Sequence, residues 1–238
     1  MANLKKLLAI NNTNLSVNVR RKKYLKIITL DTIDSTNDYA SRLACAGQEE
    51  ITIVRAHRQT AGRGRLGRDW ASPAHQGIYA SFIVRPQNPL HELVFLPLLG
   101  ALAVTQTIGK YLPLTIKLPN DIMVRGKKIS GTLVEARGAQ DRVEFAIVGI
   151  GININTQARE LSGLPATSLY LETGKEEPLE PLFKKLVGEF VAVYTRFMHG
   201  DLAALLKETY PFQEKRSLKR LTEVFTGPGA FKEIIRFV

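Results

Sequence analysis

Apolar residues along this chain recur at two spacings, and the switches between them mark out the elements. Residues 24–30 have strand composition, and 51–56 read as a second strand. Between them Ser35 or Thr36 can cap a helix that runs to about Ala46 and stops at Gly47. Residues 78–84 alternate as a strand, and 96–111 read as a buried helix. Three short strands are expected over 114–117, 122–124 and 128–136, the last two joined by a hairpin turn at Arg125-Gly126. Residues 145–154 are apolar almost throughout, as in a central strand buried on both faces. Leu182, Phe183, Leu186, Val187, Phe190, Tyr194 and Phe197 then follow helical spacing until Gly200, where Asp201 can cap a second, shorter helix.

Strand runs broken by only a few helices predict an α+β protein, with a mixed β-sheet flanked by helices in place of a regular βαβ array. No internal repeat is present. The expected organisation is a loosely structured lead-in over 1–23, where Asn11, Asn12 and Asn14 give turn character, and a main domain over 24–200. Residues 201–238 hold the short helix and a tail of β character with a Gly227-Pro228-Gly229 turn.

Composition narrows the class. With 45% hydrophobic and 23% charged residues among 238, the chain reads as an ordinary soluble protein. The single cysteine, Cys45, excludes a disulfide framework and reads as a small buried hydrophobe on a helix in a reducing interior. The longest apolar stretch, 95–108, falls short of the ~20 residues of a membrane span. The first ten residues lack the pattern of a signal peptide, so a cytoplasmic location is expected. His57, His75, His91 and His199 show no ligand spacing, and no protein-held metal is expected. The net charge of +11 leaves two uses, nucleic-acid binding or a pocket for anionic small molecules. The run Arg20-Arg21-Lys22-Lys23 reads as a solvated arm.

The chemistry concentrates in the segment from Gln59 to Trp70. From Gly62 to Arg68 it packs three glycines (62, 64, 67) and three arginines (63, 65, 68) into seven residues. Glycine lets the backbone approach a ligand so that successive N–H groups can converge on an anion, and arginine adds a planar fork that fits carboxylate and phosphate. The same glycines satisfy the dinucleotide fingerprint. However, Ala71-Ser72-Pro73 prevents the long helix that must follow, and the acidic residue about 20 positions on is missing. An anion-binding loop is the better reading.

Two further clusters accompany it. In Lys117-Leu118-Pro119-Asn120-Asp121 the proline forces an extended or turning backbone, so Asn120 and Asp121 sit at a strand junction and can face a cleft. Lys128 opens the next strand, and Gly131 leaves room on it for a ligand. Singly these residues read as solvent-exposed turn positions; their clustering beside the loop is what points to a site. In Gly149-Ile150-Gly151-Ile152-Asn153, two glycines weaken a buried strand unless something approaches closely. Asn153 needs a hydrogen-bond partner, either a nucleotide or a structural neighbour at the strand end.

Together these segments resemble the biotin protein ligase family. The likeness runs in order from Tyr24 to Phe197 and includes Asp34-Ser35-Thr36-Asn37, 59–70, 117–121, 128–131, 149–153 and Ala166-Thr167-Ser168-Leu169. The resemblance implies the catalytic core shared with class II aminoacyl-tRNA synthetases. It also implies a ligase that makes biotinyl-adenylate from biotin and ATP with Mg²⁺, then passes the biotinyl group to a lysine of a biotin carboxyl carrier protein. It assigns Ser35, Thr36 and Gln59 to biotin's ring, with Asn37 beside them. The loop Gly62 to Arg68 is assigned to cover the adenylate, with Arg63 and Arg65 nearest the anionic centre. Trp70, Asn120 and Asn153 are assigned to the nucleotide, with Lys117, Gly131 and Gly151 lining the site. Lys128 matches the catalytic lysine and Asp121 the conserved acidic position.

Departures are visible too. The family usually has Trp where Leu118 stands. About 23 residues precede the core, too few for a winged helix, so no operator DNA is expected; a homodimer is possible. The family's C-terminal SH3-like β-domain is expected only as a remnant after Pro211. Rival readings are a lipoate or octanoate ligase of the same core and, from a different class, a basic nucleic-acid-binding module.

Overall fold

One mixed sheet organises the computed structural model, which describes residues 11–15, 25–139, 142–213 and 235–237. Its strands are β1 (Asn11–Leu15), β2 (Leu25–Ile33), β3 (Thr52–Gln59), β4 (Gly77–Val84), β5 (Thr115–Lys117), β6 (Asp121–Val124), β7 (Lys127–Ala139), β8 (Arg142–Asn153) and β9 (Ile235–Phe237). They lie in the order β1-β2-β3-β4-β8-β7-β6-β5, with β9 also on β7. The β2–β3 and β7–β9 pairs are parallel and the rest antiparallel, which makes the sheet mixed as expected. The helices are α1 (Thr36–Cys45), α2 (Leu96–Ile108), α3 (Leu169–Thr173), α4 (Leu179–Met198) and α5 (Leu202–Thr209).

The period of two assigns each strand residue to a face. Ile78, Ala80, Phe82 and Val84 of β4 join Ala146, Val148, Ile150 and Ile152 of β8 in the larger core, under α2 and α4. Ile83, Phe145 and Ile147 point the other way, where Ala40 and Ala44 of α1 cover them. Farther along β8 that second face carries Gly149, Gly151 and Asn153 in place of bulky residues. The small residues let Asn37 and Trp70 pack against the strand at Gly149 and Gly151, and these side chains line a hollow beside the N-terminus of α1. Ser35 is the cap: its backbone is extended and its hydroxyl accepts from the Asp38 N–H.

Four expectations need correction. Residues 11–15 are not a loose lead-in but a strand paired with β2; a run of asparagines carries no periodicity that could reveal it. Cys45 is exposed, because the buried stripe of α1 runs through Ala40 and Ala44 and the next residue is rotated ~100° off it. A 3-10 turn extends α2 back to Leu90, so 90–108 is long and apolar enough to cross a membrane by length and composition. Most of that helix is buried in the protein, as a helix hydrophobic all round must be. Finally, β9 pairs Val134 to Ala136 of β7 and so joins the main sheet; the remaining tail, 214–234, where the SH3-like remnant was expected, lies outside the described residues.

Candidate active site

The hollow is a cavity of about 330 Å³. Its lining includes Ser35, Thr36, Asn37, Gln59, Arg63, Gly64, Arg65, Arg68, Trp70, Lys117, Asn120, Asp121, Lys128, Gly131, Gly151 and Asn153. Of the sequence-derived site residues only Gly62 is absent from it. Gly62 instead lies behind the wall, where a Cβ would meet the Trp70 carbonyl oxygen at 2.6 Å.

On the β3–β4 side the floor is polar and uncharged. The Thr36 N–H donates to Gln59 Oε1 at 2.8 Å, and the Thr36 hydroxyl lies 3.0 Å from the same oxygen. That fixes the amide, so Gln59 Nε2 faces Ser72 Oγ at 2.9 Å. Ser81 Oγ, fully buried on β4, lies 2.8 Å from Thr36 Oγ1 and 2.6 Å from Asn37 Oδ1. Ser72 and Ser81 were not anticipated; the signal for Ser81 was a small hydroxyl within an otherwise apolar strand.

The arginine-glycine segment is a small hairpin whose tip is a 3-10 turn, Arg65–Gly67. Gly64 N donates to Arg68 O at 2.7 Å, Arg68 N to Arg65 O, and Trp70 N to Gly62 O. These three N–H groups close the hairpin, and the loop's positive charge is carried by side chains. Leu66 at the tip is left-handed, φ 59°, and 84% exposed. Arg63 lines the cavity and has protein partners of its own. It makes a bidentate pair with Asp38 and reaches the buried Glu135 at 3.2 Å. The hydrogen bonds to Asp38 and the nearby Glu135 charge hold its pKa above the usual guanidinium value. Arg63 therefore fastens the loop to α1 and β7, while Arg65 reaches across the cavity to Asn120 Oδ1 at 3.3 Å.

On the β6–β7 side one irregularity decides the chemistry. The register steps from Ile122↔Ser130 to Met123↔Lys128, a β-bulge. Without it Lys128 would pair with Val124 and share that residue's core-facing side. The bulge moves Lys128 to the face of Asp121, and its Nζ lies 2.7 Å from Asp121 Oδ1 and 5.3 Å from the Trp70 ring. Its backbone is held by Pro165 O and Thr167 N, each at 2.9 Å. Gly131 stands opposite Asp121, and a Cβ there would meet Lys128 Cε at 2.8 Å. The space expected for a ligand at Gly131 is thus occupied by Lys128 itself. Gly151 has the same relation to the indole of Trp70, which a Cβ would meet at 2.5 Å.

Asn120 donates to Thr132 O and Asn153 to Thr167 O, so both have structural partners. The Leu118–Pro119 bond is cis. Trp70 Nε1 and Asn153 Oδ1 are buried on the cavity side without a protein partner, which suits a ligand that supplies an acceptor and a donor. Among the described residues no group of three or more His, Cys, Asp or Glu could hold a metal ion.

An α+β sheet with a neutral hydrogen-bonding floor on one side, and a lysine and arginines on the other, can receive a molecule that is part uncharged heterocycle and part anion. Residues 29–153 match the biotin/lipoate A/B protein ligase family, and the chain belongs to that family. It is 40% identical over 192 residues to the bifunctional ligase/repressor BirA of Bacillus spizizenii, covering 77% of this chain and 59% of that protein. It is 37% identical over 150 residues to the biotin–[acetyl-CoA-carboxylase] ligase of Paracoccus denitrificans, covering 59% and 61%. The chain thus spans about three-fifths of the length of these relatives. Among solved structures it is similar to the biotin protein ligase of Aquifex aeolicus in complex with biotin and ATP, with 31% identity, a TM-score of 0.63 and coverage of 79% and 78%. The Leishmania major ligase in complex with biotinyl-5-AMP gives 27% identity, a TM-score of 0.61 and coverage of 80% and 82%.

Proposed function

We propose that this protein joins biotin to ATP as biotinyl-5′-AMP and transfers the biotinyl group to a lysine of a biotin carboxyl carrier domain in a biotin-dependent carboxylase. The observation that carries this reading is the position of Lys128, turned by the bulge onto the cavity face beside Arg65 and Trp70. The neutral floor favours biotin over lipoate, since a ureido ring offers two N–H donors and a carbonyl whereas a dithiolane offers none.

In the first step a biotin carboxylate oxygen attacks the α-phosphorus of ATP, and diphosphate leaves. Two anions must meet, so fixed positive charge is the main requirement. Lys128 and Arg65 supply it, and Mg²⁺ arrives on the nucleotide's phosphates as part of the substrate. Trp70 offers its indole face and Nε1 to the nucleotide. In the second step the acceptor amine, having lost a proton, attacks the acyl carbon and AMP leaves. Asp121, on the cavity wall, serves as the base in this reading, in competition with its pairing to Lys128. The hairpin around Arg65 shields the mixed anhydride from water. A reducing cytoplasm is the setting that suits this reaction and the exposed thiol of Cys45.

The test is to incubate the protein with Mg-ATP and either biotin or lipoate, and to follow diphosphate release and the acyl-adenylate. The reading requires a biotinyl-adenylate and none from lipoate; lipoyl-adenylate alone would replace it with the rival reading.

A further inference from the structure

Among the described residues Glu135 is the only charged side chain in the buried class, 1% exposed on the cavity face of β7. A carboxylate accepts hydrogen bonds and cannot donate them. It therefore turns the Asn37 amide so that Nδ2 faces it at 2.8 Å, which aims Asn37 Oδ1 at Ser81. From there the floor runs Asn37 Oδ1 to Ser81 Oγ, Ser81 Oγ to Thr36 Oγ1 and Thr36 Oγ1 to Gln59 Oε1, with separations of 2.6, 2.8 and 3.0 Å. Three oxygen-to-oxygen separations of hydrogen-bond length share two hydroxyl protons. Both amide oxygens are pinned, one by Glu135 through Asn37 and the other by the Thr36 N–H. The floor is therefore one proton short, and the shortage falls at Thr36 and Gln59, on the cavity wall.

We propose that Glu135 is a positioning residue whose charge keeps the pocket floor proton-deficient, so that the floor selects a ligand ring bearing an N–H donor. This inference rests on the biotin reading, in which the ureido ring lies against Thr36 and Gln59. It adds what that reading leaves open, namely why a carboxylate that never reaches the cavity's reacting atoms is buried beside it. A glutamine at 135 can donate to Asn37 Oδ1, which lets the Asn37 amide reverse and donate to Ser81. The two hydroxyl protons then serve the two remaining separations, and the ring N–H loses its vacant acceptor.

The test compares wild type, Glu135→Gln, Ser81→Ala and the double variant by steady-state kinetics with biotin, desthiobiotin and ATP, beside thermal melts. Desthiobiotin keeps the ureido group and lacks the thiophane ring. For Glu135→Gln the KM for biotin and for desthiobiotin should rise together by about tenfold, the scale of one buried hydrogen bond, with kcat and the KM for ATP moved by less than about threefold. In the Ser81→Ala background, where the relay is cut, Glu135→Gln should add little. The proposal is overturned if the KM for ATP moves as much as that for biotin, if biotin's KM stays unchanged, or if the two substitutions multiply independently. Failure of the wild type to bind biotin would instead remove the underlying reading.

Discussion

Lys128 Nζ lies 2.7 Å from Asp121 Oδ1, and a β-bulge two residues from Asp121 brings them to one face. The carboxylate holds the ammonium at the cavity wall between Trp70 and Gly131. In the proposed reaction each partner would limit the other: Lys128 would meet the anion, and Asp121 would act as a base only once released from Lys128.

Removing the two partners should give different results. Lys128→Ala should lower adenylate formation by ~100- to 1000-fold, the scale of a lost electrostatic contact to a reacting anion, with an unchanged melting temperature. Asp121→Asn should slow transfer to the acceptor more than adenylate formation. Single-turnover measurements of each half-reaction separate the two.

Arg63 and Arg65 stand two residues apart and should fail differently. Arg63→Ala removes the ion pairs to Asp38 and to the buried Glu135 and should cost about 3 kcal/mol of stability in urea unfolding. Arg65→Ala should leave stability within about 0.5 kcal/mol, as a surface-type change does, and let the adenylate escape into solution. Equal stability losses in both would remove the distinction between clamp and cover.

Long apolar runs made much of the fold legible. The central strand over 145–154, the helix from Leu182 and the Arg125-Gly126 hairpin all stand close to where pattern places them. Both turn residues of that hairpin are left-handed, φ 48° and 79°, as a two-residue connection requires. The site residues were legible as types in clusters. Their wiring was not. Whether Lys128 faces the cavity or the core depends on one extra residue in β7, which alternation cannot reveal. That Arg63 serves Asp38 and Glu135 depends on contacts 25 and 72 residues apart in sequence. Glu135 itself looked like any polar position in an alternating strand.

Trp70 and Gly151 test the nucleotide side of the cavity. A Cβ at 151 would meet the indole at 2.5 to 2.8 Å, so Gly151→Ala must displace the ring. The KM for ATP should rise about tenfold, the loss of a stacking contact, with biotin's affinity retained. Calorimetric titration of each ligand alone reads the two effects separately.

His57 stacks on His75 with ring centroids 4.6 Å apart. Burial, then the neighbouring charges of Arg55 and His75, push the His57 pKa below its usual 6.5. The folded state thus binds fewer protons than the unfolded chain between these two values, and stability falls as pH drops through that window. Melts between pH 7.5 and 5 should show a decline that begins near 6.5 and flattens in His57→Gln.

The most direct measurement is transfer of labelled biotin to a biotin carboxyl carrier domain, with and without Mg-ATP, by wild type and Lys128→Ala. Labelling that requires ATP and disappears in the folded variant is the predicted result. Equal labelling by both proteins would contradict the role given to Lys128, and no ATP-dependent labelling by wild type would contradict the activity itself.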